Sequence, residues 1–414
     1  MGVSPQADSK SQNQAGTQAP AAEGVRKPCG ADWAGCVPEP EKPVDVTVIV
    51  PCYNVEKYLE QCLSSVLQND EAAIEVIVIN DGSKDGGLAI MRDFESRDPR
   101  VHVIDKPNGG YGMGVNAGLS NAHGAYVAIV EPDDYVRPHF YDETVAYAKT
   151  FPQLPDIVKT PYTRVSQPGT PREHLYHCAY YSRVKPPHQP FTIYDEPRLI
   201  QHHPSIWSAL YRRAFLEEKG IRMLEVPGAG WVDNPFLIET LCQASSIVFL
   251  NKEFYCYRED LPGSSSMLRS SDLAFDRWNQ MSDILDRLGI DDDGIRSAHI
   301  VRGFNYLTGI LEEANIAGTP AEAKMRRMFD RMDSRLVLAS PYLGNDRKEL
   351  FCRVRGIEGA TWDRWSHFRN LVSEFWYHLG VNGVAFAMSR VRVYFARRLN
   401  IATNDPTKTA SAGI

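Results

Sequence analysis

Several features that this chain lacks narrow its function before any motif is read. No uninterrupted apolar stretch approaches the length that crosses a bilayer, so a soluble or peripheral protein is expected. The amino-terminal residues are rich in Ala, Gln, Ser, Gly and Pro, with no apolar run after a basic start, so a standard signal peptide is not expected. Positive charge is not in excess: 45 Lys and Arg stand against 52 Asp and Glu, a net charge of -7. That balance argues against a general nucleic-acid binder, which needs clustered basic charge. The 8 cysteines form no CxxC pair, which fits reduced thiols in a cytoplasmic compartment better than a disulfide frame. His202 and His203 have no second pair at ligand spacing and read as structural rather than as a zinc site. The glycines at 109, 110, 112 and 114 do not spell GxGxxG, and no GKS or GKT follows, so neither a dinucleotide fingerprint nor a P-loop is present.

What is present is an α/β pattern. A hydrophobic content of 43% over 414 residues supports a large core. Four short apolar runs lie between Val46 and Val130: Val46 to Val50, Ile74 to Ile79, Val101 to Ile104, and Ala125 to Val130. Segments of helical periodicity separate them, such as Val55, Leu59, Cys62, Leu63 and Val66 after the first run. Continuous apolar runs suit strands buried on both faces, and such sheets bind ligands at the C-terminal ends of their strands. The fourth run ends in Glu131, Asp133 and Asp134. Carboxylates there can hold magnesium or manganese, which share their shell with substrate phosphates; the alternative is a solvated or helix-capping turn. Gly109 and Gly110 either let backbone amides approach a phosphate or sugar, or make a tight strand-to-helix turn.

These residues, in this order, resemble the family 2 glycosyltransferases with a GT-A fold. Val48-Ile-Val-Pro-Cys-Tyr-Asn54 resembles the family's opening strand and loop, Val78-Ile-Asn-Asp-Gly-Ser83 its second motif, and Asn116 through Asp134 its third. His203 to Arg212 resembles the acceptor-side tryptophan segment, and Pro227-Gly-Ala-Gly-Trp-Val-Asp233 the segment with the catalytic carboxylate. Tyr255-Cys-Tyr-Arg258 and the serines at 264 to 266 complete the pattern. The resemblance implies a nucleotide-binding α/β/α sandwich. Pro51, Tyr53 and Asn54 would line the nucleotide pocket, and Asp81 would accept a hydrogen bond from the base. Gly109, Gly110, Asn116 and Arg258 would serve the nucleotide sugar, while Asp133, with Glu131, would hold a divalent cation. Trp207 and Trp231 would face the acceptor, although Trp207, flanked by Ile206 and Leu210, fits the core equally well, and Asp233 would be the general base of an inverting transfer. Three positions depart from the family pattern: Glu131 replaces the usual first aspartate, Val115 precedes Asn116 where arginine is common, and Val232 replaces a glutamate before Asp233.

The same reading divides the chain into a disordered segment at 1–43, a GT-A domain at 44–268 and a helical region at 269–414. The domain splits into a nucleotide-binding half, 44–135, and an acceptor-side half, 136–268. Helices are expected over 274–288, 297–314 and 321–338. The stretch from Phe375 to Arg398 carries aromatics with Arg390, Arg392, Arg397 and Arg398 and only basic charge. It reads either as a helix on the anionic cytoplasmic face of the plasma membrane or as one docked on the catalytic domain. The implied partners are a nucleotide diphosphate sugar and a glycan or lipid-linked acceptor in surface polysaccharide assembly. The alternatives are a sugar-phosphate nucleotidyltransferase and a non-catalytic sugar-nucleotide-binding subunit.

Overall fold

The computed structural model describes residues 37–68, 71–259, 271–313 and 318–398. The expected disorder of 1–43 therefore falls mostly outside the described residues, as do Cys29, Cys36 and the serines at 264 to 266.

The chain opens with β1 (Val46–Cys52), α1 (Glu56–Val66), β2 (Ile74–Asp81), α2 (Gly87–Arg97), β3 (Val101–Lys106), α3 (Tyr111–Asn121) and β4 (Tyr126–Ile129). Every residue of β1 and β2 is buried, because helices cover both sheet faces, and this is why those runs are continuous rather than alternating. The helices turn one stripe inward: Leu59, Cys62, Leu63 and Val66 on α1, Met91 and Phe94 on α2.

Next come β5 (Tyr135–Val136), α4 (Phe140–Ala148), β6 (Ile157–Lys159), β7 (Tyr162–Ser166), β8 (His174–His177), α5 (Arg198–Gln201), β9 (Ala209–Arg212), α6 (Arg213–Glu218), α7 (Asp233–Gln243), β10 (Ile247–Phe249) and β11 (Tyr255–Arg258). The main sheet runs β10-β6-β9-β4-β1-β2-β3. Strand β9 is antiparallel to both β4 and β6, while β1 pairs parallel with β2 and β4. The 136–268 half therefore contributes strands to the same sheet as the 44–135 half. A second sheet, β5-β11-β7-β8, lies outside what the sequence suggested. Its strands are two to five residues long, too short to carry a readable period.

The helical region comprises α8 (Ser271–Arg287), α9 (Asp293–Glu313), α10 (Pro320–Asp330), α11 (Ser334–Ala339), α12 (Asn345–Arg355) and α13 (Ser366–Arg398). The helix expected over 321–338 is two. The chain breaks after Asp330 and restarts at an N-cap in which Asp333 accepts the amide of Arg335 at 2.7 Å. Phe275, Trp278, Phe304, Phe329 and Phe351 join one hydrophobic cluster with the sheet residues, so these helices extend the core of the α/β domain. Helix α13 bends at Gly383, which has φ 80°. One face docks beside β8: Glu374 pairs with Arg183, the Tyr377 hydroxyl donates to the Tyr181 carbonyl at 2.8 Å, and the Phe386 ring lies 4.6 Å from that of Tyr176.

Candidate active site

The C-terminal ends of β1, β2 and β4 converge, and the loops that follow them build one wall of the site. Asn54 adopts a left-handed φ of 54° and clasps the neighbouring loop. Its Oδ1 accepts the Lys84 amide at 2.8 Å, and its own amide donates to Ser83 Oγ at 3.2 Å. Pro51 is buried beneath this clasp, whereas Tyr53 is 50% exposed and offers a ring face.

Asp81, at the end of β2, is buried. Its Oδ1 accepts from Lys106 Nζ and from the Gly109 amide at 2.9 Å, and its Oδ2 accepts the Gly110 amide at 2.9 Å. The carboxylate thus holds the glycine turn. Gly110 requires glycine twice over. Its φ is 92°, and a Cβ there would lie 2.3 Å from the Val226 carbonyl oxygen. The close approach at the glycine turn is therefore to the chain at 224–228, and the Tyr111 amide also donates to the Gly228 carbonyl at 3.0 Å. Of the two sequence readings of these glycines, the structure displays the tight turn.

Asn116 is likewise committed within the protein. Its Nδ2 donates to the Met223 carbonyl and to Glu225 Oε1, each at 2.9 Å, and its Oδ1 accepts the Met223 amide at 2.9 Å. The sugar contact expected of it has no geometric support here; the side chain instead pins the extended segment that leads into the Asp233 loop.

At the end of β4 the three acids have separate environments. Asp134 is buried and accepts from the Tyr255 hydroxyl at 2.9 Å and the Arg258 amide at 2.7 Å, which ties β4 to β11. Glu131 accepts the Tyr111 hydroxyl at 2.6 Å, and burial pushes its pKa up to about 8, with Asp133 and Asp233 adding repulsion. Burial raises Asp133 as well, against the lowering effect of its own amide and of Arg258. Two hard carboxylates that disfavour their own negative charge are suited to a divalent cation, which offsets it. Among the described residues no group of three or more His, Cys, Asp or Glu side chains could hold a metal by itself. Magnesium-type sites that share their shell with substrate phosphates use one or two carboxylates, so Asp133 and Glu131 fit the donor set.

Arg258 is buried behind these acids. Its guanidinium donates to the Asp133 carbonyl and to Gln61 Oε1 and lies over the ring of Tyr135 at 4.8 Å. The neighbouring Glu259 is engaged elsewhere and binds Arg164 through a fork at 2.6 and 2.8 Å.

The opposite wall is the 228–234 segment and the start of α7. Gly228, Gly230 and Trp231 all have left-handed φ values of 73°, 55° and 51°. That conformation is uncommon for a tryptophan and persists only when its surroundings enforce it. Asp233 is the first residue of α7; Val232 holds the cap position, and the helix has no side-chain cap bond. Burial raises the pKa of Asp233, and Arg302 opposes that shift. Asn234 Nδ2 donates to Asp233 Oδ1 at 3.0 Å.

The two tryptophans expected on the acceptor side differ. Trp207 is 3% exposed and stacks on Tyr255 at 4.0 Å, with Tyr162 edge-on at 4.7 Å. It is a core residue, and the acceptor role given to it is withdrawn because no face reaches solvent. Trp231 is partly exposed and meets Tyr306 at 5.4 Å. His203 accepts the Ser205 amide at 3.0 Å, and burial pushes its pKa down to about 3, so it is a neutral structural histidine. The residues that the sequence reading missed are Tyr111, Arg277 and Arg302. The first lies inside the glycine turn, but the two arginines carry no local signal because their partners are far along the chain.

Residues 47–220 match the model of Glycosyl transferase family 2. The chain carries a family 2 glycosyltransferase domain with a GT-A fold. This glycosyltransferase domain is 31% identical over 219 residues to Glycosyltransferase GlyA of Streptococcus pneumoniae, a match over 51% of this chain and 30% of that protein. It is 32% identical over 224 residues to the uncharacterized glycosyltransferase EpsJ of Bacillus subtilis, over 52% of this chain and 61% of that protein. The matches thus span less than two thirds of either relative. Among solved structures, residues 1–349 of TarS from S. aureus in complex with UDP-GlcNAc superpose with a TM-score of 0.60 at 19% identity, over 76% of this chain and 88% of that one. The α/β sandwich with helices following it is thereby the GT-A arrangement.

Proposed function

We propose that this glycosyltransferase domain moves a sugar from a nucleotide diphosphate sugar, taken to be a UDP-sugar, to a hydroxyl of a glycan or lipid-linked acceptor in surface polysaccharide assembly. The observation that carries the reading is the meeting of two walls. Asp233, from the start of α7, interacts electrostatically with Glu131 and with Tyr111, which belong to the strand-end loops. A donor held on those loops would place its anomeric carbon toward Asp233. The acceptor hydroxyl loses its proton to Asp233 as its oxygen bonds to the anomeric carbon from the face opposite the leaving group. The bond from that carbon to the diphosphate oxygen breaks, and the nucleoside diphosphate leaves with the electron pair, so configuration inverts. Asp133 and Glu131 would hold the cation, manganese or magnesium, whose charge neutralises the departing diphosphate when bound. Burial raises the pKa of Asp233 above the ordinary aspartate value, which makes the residue a stronger base when ionised.

The UDP assignment is supported by the TarS complex with UDP-GlcNAc and by the exposed Tyr53 ring just past the end of β1, which offers a face to a base. Calorimetry with UDP, GDP and CDP, each with and without manganese, tests it. Manganese-dependent binding of UDP that Asp133→Ala weakens by about tenfold or more, roughly 1.4 kcal/mol, is expected. Absence of binding by all three nucleotides would overturn the donor site and favour the non-catalytic reading.

Peripheral contact with an anionic membrane belongs to the same proposal. No helix among the described residues is long and apolar enough to cross a membrane. Trp365, just ahead of α13, and Phe368, Trp376, Met388 and Phe395 on it are each more than half exposed, and Arg392 lies among them. Aromatics with basic side chains on the undocked face are the pattern of an interfacial helix. Flotation with phosphatidylglycerol vesicles and not with phosphatidylcholine ones is expected, lost in Trp365→Ser/Trp376→Ser; a concentration-dependent mass instead would assign the face to a second copy.

A further inference from the structure

Resting on the reading of Asp233 as base, we propose that Arg302 of α9 is a positioning residue for it, so that the helical region completes the active site. Arg302 is 2% exposed and spans three separate elements. Its Nε donates to Asn234 Oδ1 at 3.1 Å, and a terminal nitrogen donates to the same oxygen. The other terminal nitrogen donates to the carbonyls of Ile200, at 2.6 Å, and His202 at the end of α5. Tyr306, one turn on, also donates its hydroxyl to Asn234 Oδ1 and receives Arg302 Nε at 2.8 Å. With three donors on Oδ1, the Asn234 amide has one orientation, and its Nδ2 is aimed at Asp233 Oδ1. The carboxylate is therefore set by an arginine 69 residues downstream that does not itself bond to it.

A second arginine reinforces the arrangement. Arg277 of α8 is 6% exposed, and its Nε donates to the Gly230 carbonyl. Together with the Tyr306 ring against Trp231, it braces the left-handed positions Gly230 and Trp231. Buried arginines suit this task, because a planar fork of fixed donors reaches several carbonyls at once. Bound to Asn234 and two backbone carbonyls, Arg302 brings its charge beside the base, where it offsets part of the burial that raises Asp233. The charged and titratable groups that act on Asp233 or feel it are Arg302, Arg277, Glu131, Tyr111 and Tyr306.

The test uses the full chain with Arg302→Gln, Arg302→Lys, Tyr306→Phe and Asp233→Asn, with UDP release from UDP-GlcNAc as the turnover probe and UDP calorimetry as the binding probe. For Arg302→Gln, kcat is expected to fall at least tenfold with the UDP Kd unchanged, and the acidic limb of the pH–rate profile should move to higher pH. Arg302→Lys should restore the limb and only part of kcat, because the charge returns without the fork. If Arg302→Gln does not fold, Tyr306→Phe carries the test, with a several-fold fall in kcat at unchanged Kd. A folded Arg302→Gln that keeps both kcat and pH profile would overturn the positioning role, as would an unaffected Tyr306→Phe. Near-normal turnover in Asp233→Asn would instead remove the base assignment, whatever the arginine variants do.

Discussion

The two walls of the site are held in different ways. On the wall proposed to take the donor, Asn54, Asp81, Asp133 and Glu131 stand at neighbouring strand ends, and partners come from adjacent loops, such as Ser83 and Lys84 for Asn54 or Gly109 and Gly110 for Asp81. On the wall of the proposed base, Asp233 depends on Asn234, which depends on Arg302 and Tyr306 from α9, while Gly230 leans on Arg277 from α8. A wall built from adjacent loops can be written as a short motif. One built from distant helices cannot, because many sequences can present a buried arginine to the same carbonyls.

The largest effect that would sharpen this contrast is that of Asp233→Asn. Turnover should fall by roughly 10² to 10⁴, the usual contribution of a positioned base, while UDP binding stays near that of the parent. Loss of both together would mean that the two walls are one folding unit without separable roles. Because burial raises Asp233, kcat/KM should also fall as pH drops through a value above the ordinary aspartate range, since the base works only when deprotonated. A rate that is flat with pH down to the ordinary range would contradict that environment.

Trp207→Ala tests a residue assigned by motif to the acceptor and by structure to the core. It should cost about 3 to 5 kcal/mol of stability, read from denaturant or thermal unfolding, as truncation of a buried aromatic does. Trp207→Phe should keep most activity; a normal melting temperature with altered acceptor use would return Trp207 to the acceptor side.

The smallest expected effect is the most discriminating. Asn116 lies within the donor motif but bonds Met223 and Glu225 on the way to the base loop. Asn116→Ala should cost about 1 to 3 kcal/mol through the buried groups left unpaired and should lower kcat more than UDP affinity. The opposite split would place Asn116 on the sugar nucleotide.

Much of the donor side was legible in the chain itself. The four β-branched runs, the helical stripes between them and the acids after β4 are consequences of local periodicity, and the first three strands formed where those runs lie. The single long helix expected over 321–338 failed on a local cap, Asp333, that apolar spacing overrode. The second sheet was not legible, because two- to five-residue strands are stabilised by their neighbours rather than by their own pattern.

The sequence by itself determined the α/β class, the order of the motifs and the position of the carboxylates at strand ends, since all of these follow from period, turn residues and charge. Tertiary structure alone decided which candidates point into the site. It turned Trp207 into core and Asn116 into a brace, and it brought Arg277 and Arg302 to the Asp233 loop. Burial and hydrogen-bond partnership are properties of folded neighbours, which a one-dimensional pattern does not encode.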